Sequence, residues 1–133
     1  LCNTLFYWAH RALHHRSIYK YIHKKHHEFK ATVAMAAEHA HPVEQLLANA
    51  IPTMAGPFLF SMHYSTFWLW LVIRELETLD AHCGYDFPWS PFGLFAWQGG
   101  ADRHDFHHRY WNHGNYGGAF SHFWDWLCGT DVD

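Results

Sequence analysis

Between Asn3 and about Lys25 the chain contains neither Gly nor Pro and reads as helix. Two long apolar stretches follow. Pro42–Met62 (PVEQLLANAIPTMAGPFLFSM) is interrupted by Pro52 and by Gly56-Pro57, and Pro52 is expected to kink a helix or divide it in two. Tyr64–Leu79 begins almost entirely apolar and then takes up Arg74, Glu75 and Glu77. Each stretch is close to the roughly 20 residues that cross a hydrocarbon core. The breaks and the charged cluster weaken a simple span, so membrane-embedded or re-entrant helices are expected, with Tyr64, Trp68 and Trp70 suited to an interface. Turn formers cluster late, in GYDFPWSPFG (84–93) and GNYGG (114–118). Alternating strand patterns are short and sparse, so the expected fold is mainly α, a membrane-embedded helical bundle.

Composition sharpens this. The 133 residues hold 15 histidines, 20% aromatics and only 16% charged residues, with a net charge of -3. That balance argues against a nucleic-acid partner. A mean hydropathy of -0.27 looks soluble only because histidine scores as strongly polar. Cys2, Cys83 and Cys128 form no CxxC pair and read as reduced, packed thiols. No repeat or linker divides residues 1–133, which are read as one catalytic domain. Opening on Leu1 in apolar sequence, they read as a fragment of a longer chain whose N-terminal part is missing.

The histidines carry the chemistry. HRALHH presents His10 and His14, HKKHH presents His23, His26 and His27, and HDFHH presents His104, His107 and His108. On a helix, residues at i+3 and i+4 share a face, so HxxHH aims one imidazole with two neighbours that can reach two adjacent metals. Eight imidazoles exceed the four ligands of a structural zinc and suit a dinuclear centre with positions left open. Imidazole serves Zn, Fe, Cu and Ni alike. No HExxH is present. Only Glu38-His39-Ala40-His41 approaches the Glu-x-x-His of ferritin-like carboxylate sites. An aromatic setting with neutral ligands suits non-haem iron that handles O2 and an unactivated C–H bond. His41 is read either as a ligand or as a supporting donor. Glu38, Asp80, Asp86 and Asp105 are candidates to accept the second ring N–H of a ligand. His15, His39, His63, His113 and His122 are read as non-ligands. Lys24 and Lys25 fall between the histidines and should project outward, toward headgroups or toward an acidic electron-transfer protein.

The stretches HRALHH, YKYIHKKHHEF, AEHAHPVE, ETLDAHCGYDFPWS, GGADRHDFHHRYWNHGNYG and FWDWLCGTD, in this order, resemble the fatty acid hydroxylase/sterol desaturase superfamily. DAHCGYDFPWS and HDFHHRYWNHGNYG look most like its C4-methylsterol oxidase (methylsterol monooxygenase) branch. The resemblance implies an integral enzyme of the endoplasmic reticulum membrane with a cytosol-facing histidine cap. It implies two iron ions (with zinc replacing them in some purified preparations), O2, and NAD(P)H-derived electrons delivered by cytochrome b5 or its reductase. The substrate implied is a sterol whose C4-methyl group is oxidised stepwise. Carried over, the ligands are the three boxes and His82, which matches a further ligand position. Asp86 stands where the fatty acid 2-hydroxylases have a second histidine four residues on. Phe58, Phe60, Trp68, Trp70, Phe95 and Trp97 would shape a lipid pocket. A fatty-acid or sphingolipid hydroxylase, or a sterol desaturase, uses the same site. A non-catalytic, metal-binding membrane protein is the alternative of another class.

Overall fold

A computed structural model of the chain describes residues 1–93, 99–118 and 121–132. All regular structure among them is helical, with no strand. Helix α1 (Cys2–Leu13) is followed by one turn, α2 (Arg16–Tyr19), and by 3-10 helices at His23–Glu28 and Ala34–Glu38. The short α3 (Pro42–Glu44) passes through a π-helical segment (Gln45–Ala50) into α4 (Ile51–Leu59). Then come α5 (Tyr64–Ala81), α6 (Gly100–Arg109) and α7 (Phe123–Cys128). Helix α1 packs on α4 and the π segment, while α5 packs on α6 and on the 3-10 helix at 34–38.

The helix expected to run from Asn3 to Lys25 is broken. His15 takes an extended conformation (φ -61°, ψ 134°), and its Nδ1 accepts the backbone N–H of Ser17, capping α2. A second break at Ile22 turns the chain back, which carries the second histidine box beneath the first. A straight helix would have left the two boxes about 13 residues, or roughly 20 Å, apart. Their convergence therefore outweighs local helix propensity.

Pro52 does not divide the Pro42–Met62 stretch. It cannot donate to the carbonyl four residues back, and the helix meets that deficit with the wider π-helical turn just before it. No helix among the described residues is long and apolar enough to cross a membrane. The second half of α5 carries Arg74, Glu75, Glu77 and Asp80, and α4 has only nine residues. The helical part of the expected membrane-embedded bundle is thus present in the described helices, without one that spans. Their apolar surface is real, however: Leu46, Leu47, Ile51, Leu59, Leu69, Val72 and Leu76 are all exposed.

The interior inverts the usual arrangement. Its buried apolar residues are small or few: Ala36, Ala37, Ala40, Ala48, Ala81 and Ala101, with Tyr7, Leu13 and Tyr116. Its buried polar side chains include nine histidines. Nine imidazoles form the centre of this fold, and the large apolar side chains lie outside.

Candidate metal centre

Four elements supply those nine rings. Helix α1 gives His10 and His14, the 3-10 helix gives His23, His26 and His27, the C-terminal cap of α5 is His82, and α6 gives His104, His107 and His108. They divide into two groups, each offering one nitrogen per ring within 4.8 Å of every other. The first is His10, His14, His23, His27 and His107; the second is His26, His82, His104 and His108. Within each box the i and i+4 rings stay together, and the i+3 ring crosses to the other group. The HxxHH spacing thus serves two centres from one segment. The groups adjoin: the rings of His27 and His108 lie 4.6 Å apart, centre to centre.

Proton positions decide what the groups are for. The Nδ1 of His10 lies 2.9 Å from the Tyr116 carbonyl and that of His107 lies 2.7 Å from the Gly114 carbonyl. His82 Nδ1 meets the Thr78 carbonyl at 2.7 Å, and His108 Nδ1 meets the Phe29 carbonyl at 3.1 Å. A carbonyl only accepts, so each of these Nδ1 atoms must carry the ring proton. In the neutral ring Nε2 is then a bare lone pair. Yet His10 and His23 bring their Nε2 atoms to 3.0 Å, His14 and His107 to 3.0 Å, and His82 and His104 to 2.8 Å. Ligands at about 2.1 Å from one ion and at right angles to each other stand roughly 3.0 Å apart, and opposite ones about 4.2 Å. The observed spacings match that geometry, and His108 Nε2, whose ring proton sits on Nδ1, is a buried lone pair with no hydrogen-bond partner that a cation would satisfy. The donor set therefore fits a metal ion in each group.

Protonation would disable the rings as ligands, and burial opposes it. Desolvation and neighbouring imidazoles hold every one of the nine below the ordinary histidine value. For His10 and His82 the pKa is lowered to about 4, for His108 to about 3 and for His23 to about 2. At neutral pH the rings are neutral and competent as ligands.

His23 Nδ1 donates to a carboxylate, Glu44 Oε1, at 2.7 Å, with both side chains buried. Burial pushes the Glu44 carboxyl up to about 8. Without a cation the pair is therefore neutral, and a positive charge on His23 Nε2 would favour the ionised carboxylate. Sequence reasoning missed Glu44. The one available signal was a lone acidic residue opening an otherwise apolar stretch.

The carboxylates singled out from the sequence lie elsewhere. Glu38 accepts from Gln45 Nε2 at 2.9 Å, Asp80 from Ser90 Oγ at 2.9 Å, and Asp105 from Thr32 Oγ1 at 3.2 Å and Arg109 at 2.9 Å. Asp86 is exposed, and His41 caps α3 by accepting from the Val43 N–H. None of these joins either group. Nor do His15, His39, His63, His113 and His122. Lys24 and Lys25 are exposed, on the side away from the buried rings.

Both groups face one small chamber of about 30 Å³, lined by His10 and His23 of the first and His26, His82 and His104 of the second. It has room for one or two water-sized molecules. Ala37, Asn49 and Thr78 also line it, and the same three residues close the inner end of a groove of about 400 Å³ between α4 and α5. Trp68 lies in that groove. Trp70 lines a separate depression with Phe60, and Phe58 lines a third. Phe58 and Phe60 are 74% and 73% exposed, on the surface rather than around an enclosed cavity. Phe95 and Trp97 lie outside the described residues.

Comparison with known proteins matches residues 1–130 to the fatty acid hydroxylase family model. The chain belongs to the fatty acid hydroxylase family. It is 48% identical over 131 residues to the very-long-chain aldehyde decarbonylase GL1-11 of Oryza sativa subsp. indica, covering 97% of this chain and 48% of that protein. It is 47% identical over 129 residues to methylsterol monooxygenase 2-2 of Arabidopsis thaliana, covering 96% and 48%. Methylsterol monooxygenase 2-1 of the same plant is 43% identical over 141 aligned positions, covering 96% and 51%. The chain spans about half the length of the curated relatives it matches. No solved structure matches it.

Proposed function

We propose that this family member is the metal-bearing part of an O2-dependent membrane-lipid oxygenase, acting on the C4-methyl group of a sterol. The observation that carries the reading is the convergence of nine neutral imidazoles, at metal-ligand spacing, into two adjoining groups that both reach one small chamber. His10, His14, His23, His27 and His107 would hold one ion, and His26, His82, His104 and His108 the other. Iron is the metal proposed. When bound, a redox-active pair supplies the electron transfer to O2 that lets an unactivated C–H bond be attacked. Each hydroxylation then balances as R–CH3 + O2 + 2 electrons + 2 protons giving R–CH2OH + H2O.

The protein's own groups set the conditions for this. Backbone carbonyls and Glu44 fix the tautomers of His10, His23, His82, His107 and His108, so that Nε2 faces inward. Phe6, Ala37 and Ala48 keep the chamber wall apolar and limit the water it admits. The groove ending at Asn49 and Thr78 is the proposed substrate approach, and the exposed apolar faces of α4 and α5 would lie against lipid. The exposed Arg16, Lys20, Lys24 and Lys25 form a basic face suited to an acidic electron donor such as cytochrome b5, with NAD(P)H as the electron source. An endoplasmic reticulum location with this face in the cytosol completes the proposal.

The test is product analysis. Membranes containing the full-length protein, supplied with NADPH and a 4,4-dimethyl sterol, should yield an O2-dependent 4-hydroxymethyl or 4-carboxy sterol. Oxidation of a fatty acid or a very-long-chain aldehyde in its place would overturn the substrate. Absence of any O2-dependent product would overturn the oxygenase reading.

A further inference from the structure

The two groups are supported differently. Two rings of the five-histidine group hang on one loop: His107 on the Gly114 carbonyl at 2.7 Å, and His10 on the Tyr116 carbonyl at 2.9 Å. The four-histidine group does not use that loop. His82 is held by the Thr78 carbonyl and His108 by that of Phe29, while His26 lies 3.4 Å from the carbonyl of His39.

The loop at 114–117 has no regular structure to keep its shape. Asn115 adopts a positive φ of 57°, a conformation asparagine tolerates better than most residues. Its backbone N–H donates to the Thr130 carbonyl at 2.8 Å, and its side chain exchanges two hydrogen bonds with the Val132 backbone, at 2.8 and 2.9 Å. Asn115 also meets Arg103 of α6, accepting from its guanidinium at 3.3 Å and donating to its carbonyl at 3.4 Å. The Tyr116 and Gly117 N–H groups are held instead by one buried carboxylate on α7. Asp125 Oδ1 accepts the Tyr116 N–H at 2.8 Å and the Thr130 hydroxyl at 2.7 Å, and Oδ2 accepts the Gly117 N–H at 2.6 Å. Asp125 is 1% exposed. The approach is so close that a Cβ on Gly117 would stand 2.5 Å from Oδ2. Asp125 thus grips the peptide unit that contains the Tyr116 carbonyl, through the Gly117 N–H, and the unit before it, through the Tyr116 N–H, and that carbonyl aims His10.

We propose that Asp125 is a positioning residue that governs one metal position, the five-histidine one, and leaves the other unaffected. It acts through the Tyr116 peptide on His10, with no contact to any ligand ring. Removing it leaves two buried N–H groups without an acceptor, and the loop must move to find one. The His10 ring then loses its aim, and losses of such supporting contacts typically weaken metal affinity about 10–100-fold. The inference rests on the reading that both groups hold metal.

The test uses the whole protein, Zn2+ as the probe and a competing chelator, and counts tight sites per chain. Wild type should show two. Asp125→Ala should show one at wild-type strength and one weakened 10-fold or more. Asp125→Asn keeps one acceptor oxygen and should fall between. Because His107 belongs to the five-histidine group and His104 to the other, double variants identify the affected position. Asp125→Ala with His107→Ala should keep one full-strength site, and Asp125→Ala with His104→Ala should keep none. If Asp125→Ala fails to fold, as judged by helix content of the metal-free protein, the near-isosteric Asp125→Asn carries the test and should weaken the five-histidine site alone. Equal weakening of both sites would mark Asp125 as merely structural and overturn the inference, as would two unchanged sites. A wild-type count below two would instead overturn the metal reading on which it rests.

Discussion

Replacing Glu44 by Gln tests the contact between carboxylate and ligand while nearly preserving volume. Glu44 Oε1 receives His23 Nδ1–H at 2.7 Å inside the protein, and Oε2 is buried with no protein partner. Glutamine can still accept the ring proton, but the bond loses its charge. Hydrogen bonds to charged groups contribute about 1.5–3 kcal/mol and neutral ones about 0.5–1.5. The difference of about 1–1.5 kcal/mol is roughly a 5- to 15-fold loss in affinity at the five-histidine position. A second readout follows from the carboxyl itself. Held at about 8 by burial, it is mostly protonated at pH 7 in the metal-free protein and must ionise when His23 binds a cation. Metal titration by calorimetry in two buffers of different protonation heat should therefore show about one fewer proton released by Glu44→Gln. Unchanged affinity together with unchanged proton release would refute the role given to Glu44.

Acid should dismantle the centre over a narrow range. The nine histidines have folded pKa values below the ordinary 6.5, so the stability they contribute is fully present above about 6.5 and lost as pH falls toward 4. Each proton bound only by the unfolded chain costs about 1.4 kcal/mol per pH unit. Glu44 and Glu77, both raised to about 8 by burial, act in the opposite sense and cancel about two of the nine protons. The slope for the metal-free protein is then on the order of 10 kcal/mol per pH unit, so circular dichroism should show loss of helix within about one unit below 6.5. A gradual transition over three units would contradict the buried cluster. For the apolar surface, Phe58→Glu with Phe60→Glu removes two side chains that would each contribute about 1.5–3 kcal/mol when buried in lipid. Vesicle co-sedimentation should fall at least 10-fold, and unchanged sedimentation would remove this surface from the membrane contact.

The pairing of i and i+4 rings was legible in the sequence for the boxes on α1 and α6, where such rings share a face, but not for His23 with His27, because in the 3-10 helix at His23–Glu28 it is i and i+3 that eclipse. That adjacent histidines at i+3 and i+4 could serve two neighbouring metals was legible from the HxxHH spacing on a helix such as α6. The reversal at His15 and Ile22 was not, since nothing in HHRSIYKYI breaks a helix by propensity alone. The supporting contacts were hidden more deeply. Most are backbone carbonyls, which carry no sequence signature, and Glu44 reaches His23 across 21 positions. Carboxylates nearer in sequence, such as Asp105 and Asp86, were the natural candidates, yet the fold turns them to Thr32, to Arg109 and to solvent. The apolar stretches predicted helices correctly. Charges in the second half of α5 stop that helix from reading as a span, and its outward apolar face remains the legible part of the membrane expectation.

Metal content per chain tests the central claim most directly. The purified full-length protein, loaded anaerobically with Fe2+ and passed over a desalting column, should retain two ions per chain. His107→Ala should lower that number while leaving His26, His82, His104 and His108 able to hold one. Retention of one ion or none by the wild-type protein would contradict a dinuclear centre built from these nine histidines.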